Sequence, residues 1–333
     1  MQISKQDYDK WFAGYMISDC AVRSKDILCF ITRDISESEN AGPTAEGNVS
    51  KRLISYLPDD PPGQRFGYAT FEGFGNITVG ASKHKEDKSV VVAVDGLVYS
   101  TGGGAAGDED AIPLSKEGPR RGAIFRIRTI AGVLYAVGSG HTVCYRQGRN
   151  QWQPLCQNLP VETRADFDDP ERSYNMSFAD IDGFNARDLY AIAGKGRLWH
   201  FDRTKWDAVP FPSNMHLHSI CCAGDGYVYV GAQAGNVFRG RNNEWKLIVR
   251  GMLTLPFKDT VWHAGRLWLT NDYGLWNLDG DQLVPALLPS SEITVCAGNL
   301  SVGDGVMLMA GTHGAAIHDG TSWKLIFNTL RFM

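Results

Sequence analysis

One short pattern of polar, apolar and aromatic positions returns six times along the chain. Each copy opens on a turn pair, followed by an apolar residue and, two places later, usually an aromatic one, as at 95–99 and 225–229. The six anchor positions are Tyr99, Tyr135, Tyr190, Tyr229, Trp268 and Leu308. Four of the five spacings between them lie between 36 and 40 residues, and the exceptional spacing of 55 contains the polar stretch 162–174. Such a period predicts one supersecondary unit per copy.

Two further landmarks accompany the anchors. Between 15 and 17 residues after five of them comes a position that is nearly always Trp, namely Trp152, Trp206, Trp245, Leu283 and Trp323. An alternating run lies between the two landmarks, as at 196–201, and an apolar segment precedes each anchor, as at 89–94 and 219–223. Alternation of this kind is typical of half-buried strands, so each repeat predicts four strands.

Four antiparallel strands in about 40 residues form one blade of a propeller, whose innermost strand lines a central channel. We therefore predict an all-β chain with a single seven-bladed β-propeller domain over 1–333. Six blades plus an N-terminal extension is the alternative, because long polar insertions interrupt the front blade. The segment 7–17 or the tail 328–333 is expected to pack across the seam of the ring. The approximate blades are 17–75, 76–120, 121–158, 174–210, 215–250, 256–288 and 291–327.

The blade around Leu189 to Trp206 carries the pattern Leu-Tyr-x-x-Gly, then Gly-x-Leu-Trp-x-x-Asp, then Trp. In this it resembles the irregular bacterial propellers grouped with YVTN, BNR and photosystem II stability-factor-like repeats. The resemblance covers roughly 89–327. It implies the architecture and leaves the function open, because propellers of this type host enzymes, assembly factors and pure binding proteins.

Composition and charge narrow the possible partners. The net charge is only -4 and the chain has no long Lys/Arg run, so no nucleic-acid partner is expected. The N-terminal segment is polar and no stretch approaches the roughly 20 apolar residues of a membrane span. We therefore expect no membrane partner and a cytoplasmic location. The seven Cys residues are expected to be reduced and mostly buried.

Candidate chemistry is sparse in the sequence. His216 and His218 have the spacing that places two side chains on one face of a strand, but a third metal ligand is missing beside them. The acidic residues between Asp166 and Glu171 sit in a polar insertion that is typical of a solvated loop. We predict no catalytic residues, no metal site and no cofactor.

Propeller topology indicates where a binding surface lies. Loops that join second to third strands, and those that join one blade to the next, emerge on the same face around the channel mouth. The predicted binding residues on these loops mix both charges with Tyr and His: His141, Arg172, Tyr174, Lys195, Gln233, Lys258, Asp272, Tyr273 and His313. Such mixtures suit protein recognition.

Our functional hypothesis is a bacterial, non-enzymatic propeller that binds a protein partner through this face. Its narrower form is an immunity protein that neutralises a toxic effector, because large individual insertions and the lack of a catalytic constellation fit a protein that blocks a single partner. The alternative is a glycan-active hydrolase or lyase at the channel mouth, with Asp272, Tyr273, His313 and Tyr174 as its chemistry.

Overall fold

The computed structural model describes residues 2–42 and 45–332 and contains seven four-stranded sheets. In every sheet the strands follow chain order, each antiparallel to the next. The inner strands contact one another in turn and the first meets the last, so the sheets close into a ring. The chain is a seven-bladed β-propeller, as the sequence predicts.

The strands fall into seven blades, from inner to outer strand. Blade 1 consists of β1 Tyr15–Ser24, β2 Ile27–Asp34, β3 Lys51–Tyr56 and β4 Phe66–Phe71. Blade 2 consists of β5 Ile77–Ser82, β6 Lys88–Ala93, β7 Val98–Gly102 and β8 Ala105–Glu109. Blade 3 consists of β9 Ile124–Ile130, β10 Val133–Gly138, β11 Thr142–Gly148 and β12 Gln151–Pro154. Blade 4 consists of β13 Phe178–Asn185, β14 Asp188–Ala193, β15 Arg197–Phe201 and β16 Trp206–Val209.

The remaining blades follow the same order. Blade 5 consists of β17 Leu217–Cys222, β18 Val228–Ala232, β19 Val237–Arg241 and β20 Glu244–Val249. Blade 6 consists of β21 Asp259–His263, β22 Arg266–Asn271, β23 Gly274–Asp279 and β24 Gln282–Pro285. Blade 7 consists of β25 Asn299–Gly303, β26 Val306–Gly311, β27 Gly314–His318 and β28 Trp323–Asn328.

Helices occupy only the connections and the chain ends. The α-helices are α1 Lys5–Trp11, α2 Ile35–Asn40, α3 Arg164–Phe167, α4 Pro170–Asn175 and α5 Ser291–Thr294, and 3₁₀ turns occur at Glu46–Asn48, Gln233–Gly235 and Thr329–Arg331. None of the helices in the described ranges is long and apolar enough to cross a membrane. All seven Cys carry free thiols and six of them are buried, as expected from the sequence.

The recurring turn pair of the sequence has a specific backbone role. In blades 3, 6 and 7 two residues join the inner strand to the second strand, and both have positive φ: Ala131 and Gly132 at 49° and 81°, for example. Two positive φ angles in a two-residue hairpin define a type I′ turn, whose twist matches that of the strands. The turn thus fixes the start of the second strand, where the anchor residue lies.

Blade 2 departs from the predicted assignment. The segment 89–94 was expected to be a first strand and Tyr99 a second-strand anchor, but β6 is the second strand and Tyr99 lies on the third strand, β7. The Asp95–Gly96 pair lies in the turn between these two strands, and Gly96 has a φ of 88°. The same pair of turn residues therefore joins the second and third strands in this blade. A local pattern cannot distinguish this hairpin from the one between the first and second strands.

Side chains of the inner strands join neighbouring blades. Asp19 of blade 1 accepts from the Val79 amide of blade 2 at 2.8 Å, and Asp259 of blade 6 accepts from the Leu300 amide of blade 7 at 3.0 Å. Thr129 of blade 3 binds the backbone of Ala81 in blade 2. These bonds satisfy inner-strand amides that have no strand partner on the channel side.

The seam between blades 7 and 1 is closed by packing. Each of these blades takes its four strands from one end of the chain, and helix α1 covers their junction. The Phe12 ring lies 4.4 Å from that of Phe327, and the Tyr8 ring stacks on Phe332 at 4.7 Å. The Ile3 amide donates to the Ile326 carbonyl at 3.1 Å. Both chain ends therefore pack across the seam, as expected.

Replacing Phe12 with Ala should destabilise the ring. Phe12 is only 2% exposed and also meets Phe30 and Phe66 edge-on, so the truncation leaves a cavity between the first and last blades. We expect a loss of about 3–5 kcal/mol in the free energy of unfolding, measured with urea. Gln6→Ala, on the exposed side of helix α1, which ends just before Phe12, is the control. Equal stability of the two variants would show that the seam does not depend on the Phe12 ring.

Candidate functional site

The loop face is the side of the ring that carries the connections between blades and those from second to third strands. Its inter-blade segments are 72–76, 110–123, 155–177, 210–216, 250–258 and 286–298. Its segments within blades are 35–42, 45–50, 94–97, 139–141, 194–196, 233–236, 272–273 and 312–313. All nine predicted binding residues belong to these segments, and two residues of the first insertion, 43 and 44, lie outside the described ranges.

The 155–177 connection is more ordered than the predicted solvated loop. Thr163 and Asp166 form a reciprocal capping box at the start of α3, and the Asp169 carboxylate caps α4, which begins at Pro170. Arg172 is exposed and lies 3.4 Å from the Asp169 carboxylate. Local caps and ion pairs therefore hold this insertion in a defined conformation above blade 4.

Three of the predicted binding residues meet at the junction of blades 4 and 5. The Lys195 ammonium pairs with the Glu171 carboxylate at 3.0 Å. The Tyr174 ring lies 5.1 Å from the His216 imidazole, and burial raises the pKa of the Tyr174 phenol. The His216 amide donates to the Gln233 side-chain oxygen at 3.2 Å.

Four more lie on blades 6 and 7. Lys258 and Asp272 approach each other with 3.8 Å between ammonium and carboxylate, and Tyr273 beside them is 78% exposed. His313 is exposed at the top of blade 7, where its carbonyl accepts from the Thr329 amide at 2.9 Å. The nine residues are thus distributed along the face from blade 3 to blade 7.

His141 corrects the prediction that all nine side chains are available for binding. It is only 3% exposed and packs between Phe178 and Trp199. The ring Nδ1 donates to the Pro160 carbonyl at 3.1 Å, and Nε2 has no hydrogen-bond partner among the described residues. Burial lowers the pKa of the imidazole to about 4. His141 therefore anchors the 155–177 connection from below.

Beneath the loop face, two arginines span the central channel. Arg128 of blade 3 forms a bidentate pair with Asp180 of blade 4, at 2.9 Å for both bonds, and reaches Asp259 of blade 6 at 2.8 Å. Arg126, on the same face of β9, lies 3.1 Å from Asp259 and donates to the Lys258 carbonyl at 2.8 Å. Burial opposes ionisation of Asp259, but the charges of Arg126 and Arg128 outweigh it and lower its pKa.

A cavity of about 370 Å³ in the channel extends from these arginines toward the opposite face. Asp182 lies in its wall, where burial raises the pKa of the carboxyl to about 6, and its oxygens accept from the Gly183 and Cys222 amides. Across the described residues, no group of three or more His, Cys, Asp or Glu side chains is arranged to hold a metal ion. The carboxylates here are committed to joining blades.

Apart from Tyr174 and Tyr273, the exposed apolar side chains of the loop face are not among the residues predicted from the sequence. Among the described residues, twelve large hydrophobic side chains are exposed, and eight belong to the loop-face segments or follow the last outer strand. These eight are Leu114, Val161, Phe167, Tyr174, Met252, Tyr273, Leu287 and Leu330. No periodic signal could have located them, because they lie in irregular connections.

The structure is a closed propeller whose loop face carries both exposed apolar and charged side chains. No protein-family model matches the chain. The chain is similar to the immune protein Tsi7 of Pseudomonas aeruginosa, with 28% identity over 242 residues, which cover 72% of this chain and 76% of the relative. This similarity agrees with the bacterial immunity-protein hypothesis.

Solved structures show the same fold. PorZ, a bacterial surface component of the type-IX secretion system of Porphyromonas gingivalis, matches with a TM-score of 0.58 and 11% identity, over 95% of this chain and 38% of that one. The WD40 propeller domain of Doa1 matches with a TM-score of 0.56 and 12% identity, over 92% of this chain and 96% of that one. YCF48 bound to D1 peptide matches with a TM-score of 0.56 and 14% identity, over 95% of this chain and 94% of that one. These matches support the propeller architecture alone.

Replacing Arg128 with Met should destabilise the whole ring. The change removes the bidentate partner of buried Asp180 and one of the two arginines that pair with buried Asp259, and breaking a buried ion pair typically costs about 3–5 kcal/mol. Urea unfolding monitored by tryptophan fluorescence measures the loss. Lys205→Met removes an exposed pair with Asp207 and should leave the midpoint unchanged. A silent Arg128 variant would show that the arginine bridge contributes nothing to closure.

The stability of the protein should fall in acid partly because of His141. The pKa of His141 is about 4 in the folded protein and about 6.5 in the unfolded chain. The contribution of His141 to the free energy of unfolding is therefore complete above pH 6.5 and is lost as the pH falls toward 4. We expect the wild type to lose about 2–3 kcal/mol more than His141→Asn between pH 7 and pH 4.5 in urea titrations. Asn is chosen because position 141 has a φ of 53°, which Asn tolerates. Parallel pH profiles for the two proteins would contradict the assignment.

Proposed function

We propose that this chain is an immunity protein that neutralises a toxic effector protein by binding it. The observation that carries the proposal is the similarity to the immune protein Tsi7 over 242 residues. That length is several times a blade repeat of about 40 residues, so the match reflects more than one shared repeat. The match covers similar shares of both chains, so the similarity extends over most of the ring.

The loop face is the proposed contact surface. It combines exposed aromatic and aliphatic side chains with the pairs Lys195–Glu171 and Lys258–Asp272. Protein interfaces use such aromatic and aliphatic anchors for affinity and charged neighbours for orientation. Capped helices and backbone hydrogen bonds hold the connections in place, so little conformational entropy is lost on binding.

The geometry does not favour the glycan-active alternative. Tyr174 packs against His216 at the entry to blade 5, whereas Asp272 pairs with Lys258 on blade 6. A glycosidase needs two carboxyl groups facing one sugar across a short gap in a concave site. The candidates for that chemistry are instead spread over separate blades of the loop face.

Neutralisation by binding should be stoichiometric. We expect co-expression of this chain to restore growth to cells that produce the effector encoded beside its gene. With purified proteins, inhibition of the effector should be complete at one equivalent, and the two should elute together from a size-exclusion column. The titration end point is the decisive measurement, because a binder is consumed in the complex and an enzyme is not.

An unrelated toxin from the same expression system serves as the control and should not be neutralised. Protection of the effector's target at a small fraction of one equivalent would indicate catalysis and overturn the binding mechanism. Failure to protect cells, together with separate elution of the two proteins, would remove the immunity proposal.

A further inference from the structure

Two buried histidines meet where blade 6 packs against blade 7. His263 ends β21, the inner strand of blade 6, and His318 ends β27, the third strand of blade 7. Their exposed fractions are only 5% and 7%. The His263 Nε2 lies 3.0 Å from the His318 Nδ1, which is hydrogen-bond distance. These two residues, the His pair, therefore join two blades near the face opposite to the loop face.

The Gly320 amide determines which nitrogens of the His pair carry hydrogen. It donates to the His318 Nδ1 at 3.2 Å, the same atom that faces His263. Because a backbone amide can only donate, this Nδ1 is an acceptor and carries no hydrogen. His318 is therefore neutral with its hydrogen on Nε2, and the His263 Nε2 donates to it. The contact exists only while the His318 Nδ1 stays unprotonated.

Indole rings surround the acceptor ring of the pair. The Trp268 and Trp323 rings lie 5.5 Å and 5.2 Å from the His318 imidazole and 5.8 Å from each other. The Trp268 indole N–H donates to the His263 carbonyl at 3.1 Å, which holds this ring in place. An apolar, closely packed environment of this kind disfavours a charged imidazolium.

Burial and the charges of neighbouring side chains act on both rings. Burial has the largest effect, and it lowers the pKa of the His263 and His318 imidazoles. Asp319, in the turn after β27, favours protonation of both rings, whereas Arg266, at the start of β22, opposes a charge on His318. Lys324 of β28 pairs with the Asp319 carboxylate at 2.9 Å and offsets part of its attraction. The neutral pair is therefore the form that the folded protein favours.

Protonation of His318 breaks the contact between the blades. A proton on its Nδ1 places an N–H group opposite the N–H groups of His263 and Gly320, so both hydrogen bonds are lost. When His263 is protonated as well, two positive charges stand on rings whose centres are 5.1 Å apart, and they repel each other. The same contact that joins the blades at neutral pH therefore separates them in acid.

We propose that the His pair is an acid-operated switch between blades 6 and 7, closed while His318 is neutral and open once its Nδ1 binds a proton. The inner ends of these blades stay joined through Asp259, which accepts from the Leu300 amide at 3.0 Å and pairs with Arg128. Opening is therefore confined to the part of the interface near the opposite face. The switch is independent of the proposed immunity function.

The test measures amide hydrogen exchange by mass spectrometry at pH 7 and pH 5, corrected for the intrinsic exchange rate. Both pKa values are lowered in the folded protein, so the contact is complete above about pH 6.5 and is lost as the pH falls. Segments 259–268 and 314–323 should exchange at least about tenfold faster at pH 5, because one pKa unit corresponds to a factor of ten. Segment 77–93 of blade 2 should change less than about twofold.

Two variants keep the hydrogen bond without a titrating ring. In His318→Asn the side-chain oxygen takes the place of Nδ1 as acceptor, and in His263→Gln the side-chain amide takes the place of Nε2 as donor. Either variant should abolish the acid-induced increase in exchange, with melting temperatures at pH 7 confirming that both are folded. The control is His313→Asn, an exposed histidine of the same blade, which should respond to acid like the wild type.

The wild-type measurement is decisive even where a variant fails to fold. Unchanged exchange of segments 259–268 and 314–323 at pH 5 would overturn the switch, and so would an equal increase in blade 2, which would indicate global unfolding. A folded His318→Asn protein that still responds to acid would show that another group operates the opening. Loss of the response in His313→Asn would also contradict the assignment to the His pair.

Discussion

The ion network of Arg126, Arg128, Asp180 and Asp259 is the contact on which the geometry of the ring depends. Neighbouring blades of any propeller pack face to face, but Arg128 connects blade 3 to blade 4 and also to blade 6 across the channel. Packing between neighbouring blades alone would let small variations in blade spacing add up around the ring. The Arg128 bridge fixes the distance between blades on opposite sides of the channel. The desolvation cost of these charges is offset because Asp180 and Asp259 also accept backbone amides of the next blades.

The network also positions the loop face. Arg126 donates to the carbonyl of Lys258, the last residue of the connection into blade 6, so the channel charges and the surface loop share one backbone contact. On the other side, buried His141 supports the 155–177 connection through the Pro160 carbonyl. The loops are therefore held from inside the molecule. Rigid loops lose little entropy on association, which favours tight binding to one shape.

Much of this fold can be predicted from local chemistry, because the signals are local. Turn pairs such as Asp304 and Gly305 require positive φ at both positions, and the strands around them alternate, so hairpins and their spacing can be recognised. Blade 2 shows the limit, since Asp95 and Gly96 turn a different hairpin. Ring closure by Phe12 and Phe327 depends on contacts between the chain ends, which periodicity does not encode.

The candidate site was less predictable, because exposure is a property of tertiary structure. Topology correctly places His141 in a loop-face segment, but the rings of Phe178 and Trp199 enclose its imidazole. Conversely, nothing in the local sequence distinguishes Met252 from Leu253, although one is exposed and the other packs inward. The charged residues that sequence patterns single out, such as Lys195 and Lys258, are paired within the protein. Charges that are already paired on an exposed surface contribute little to binding energy, so an interface at the proposed contact surface would depend mainly on its apolar side chains.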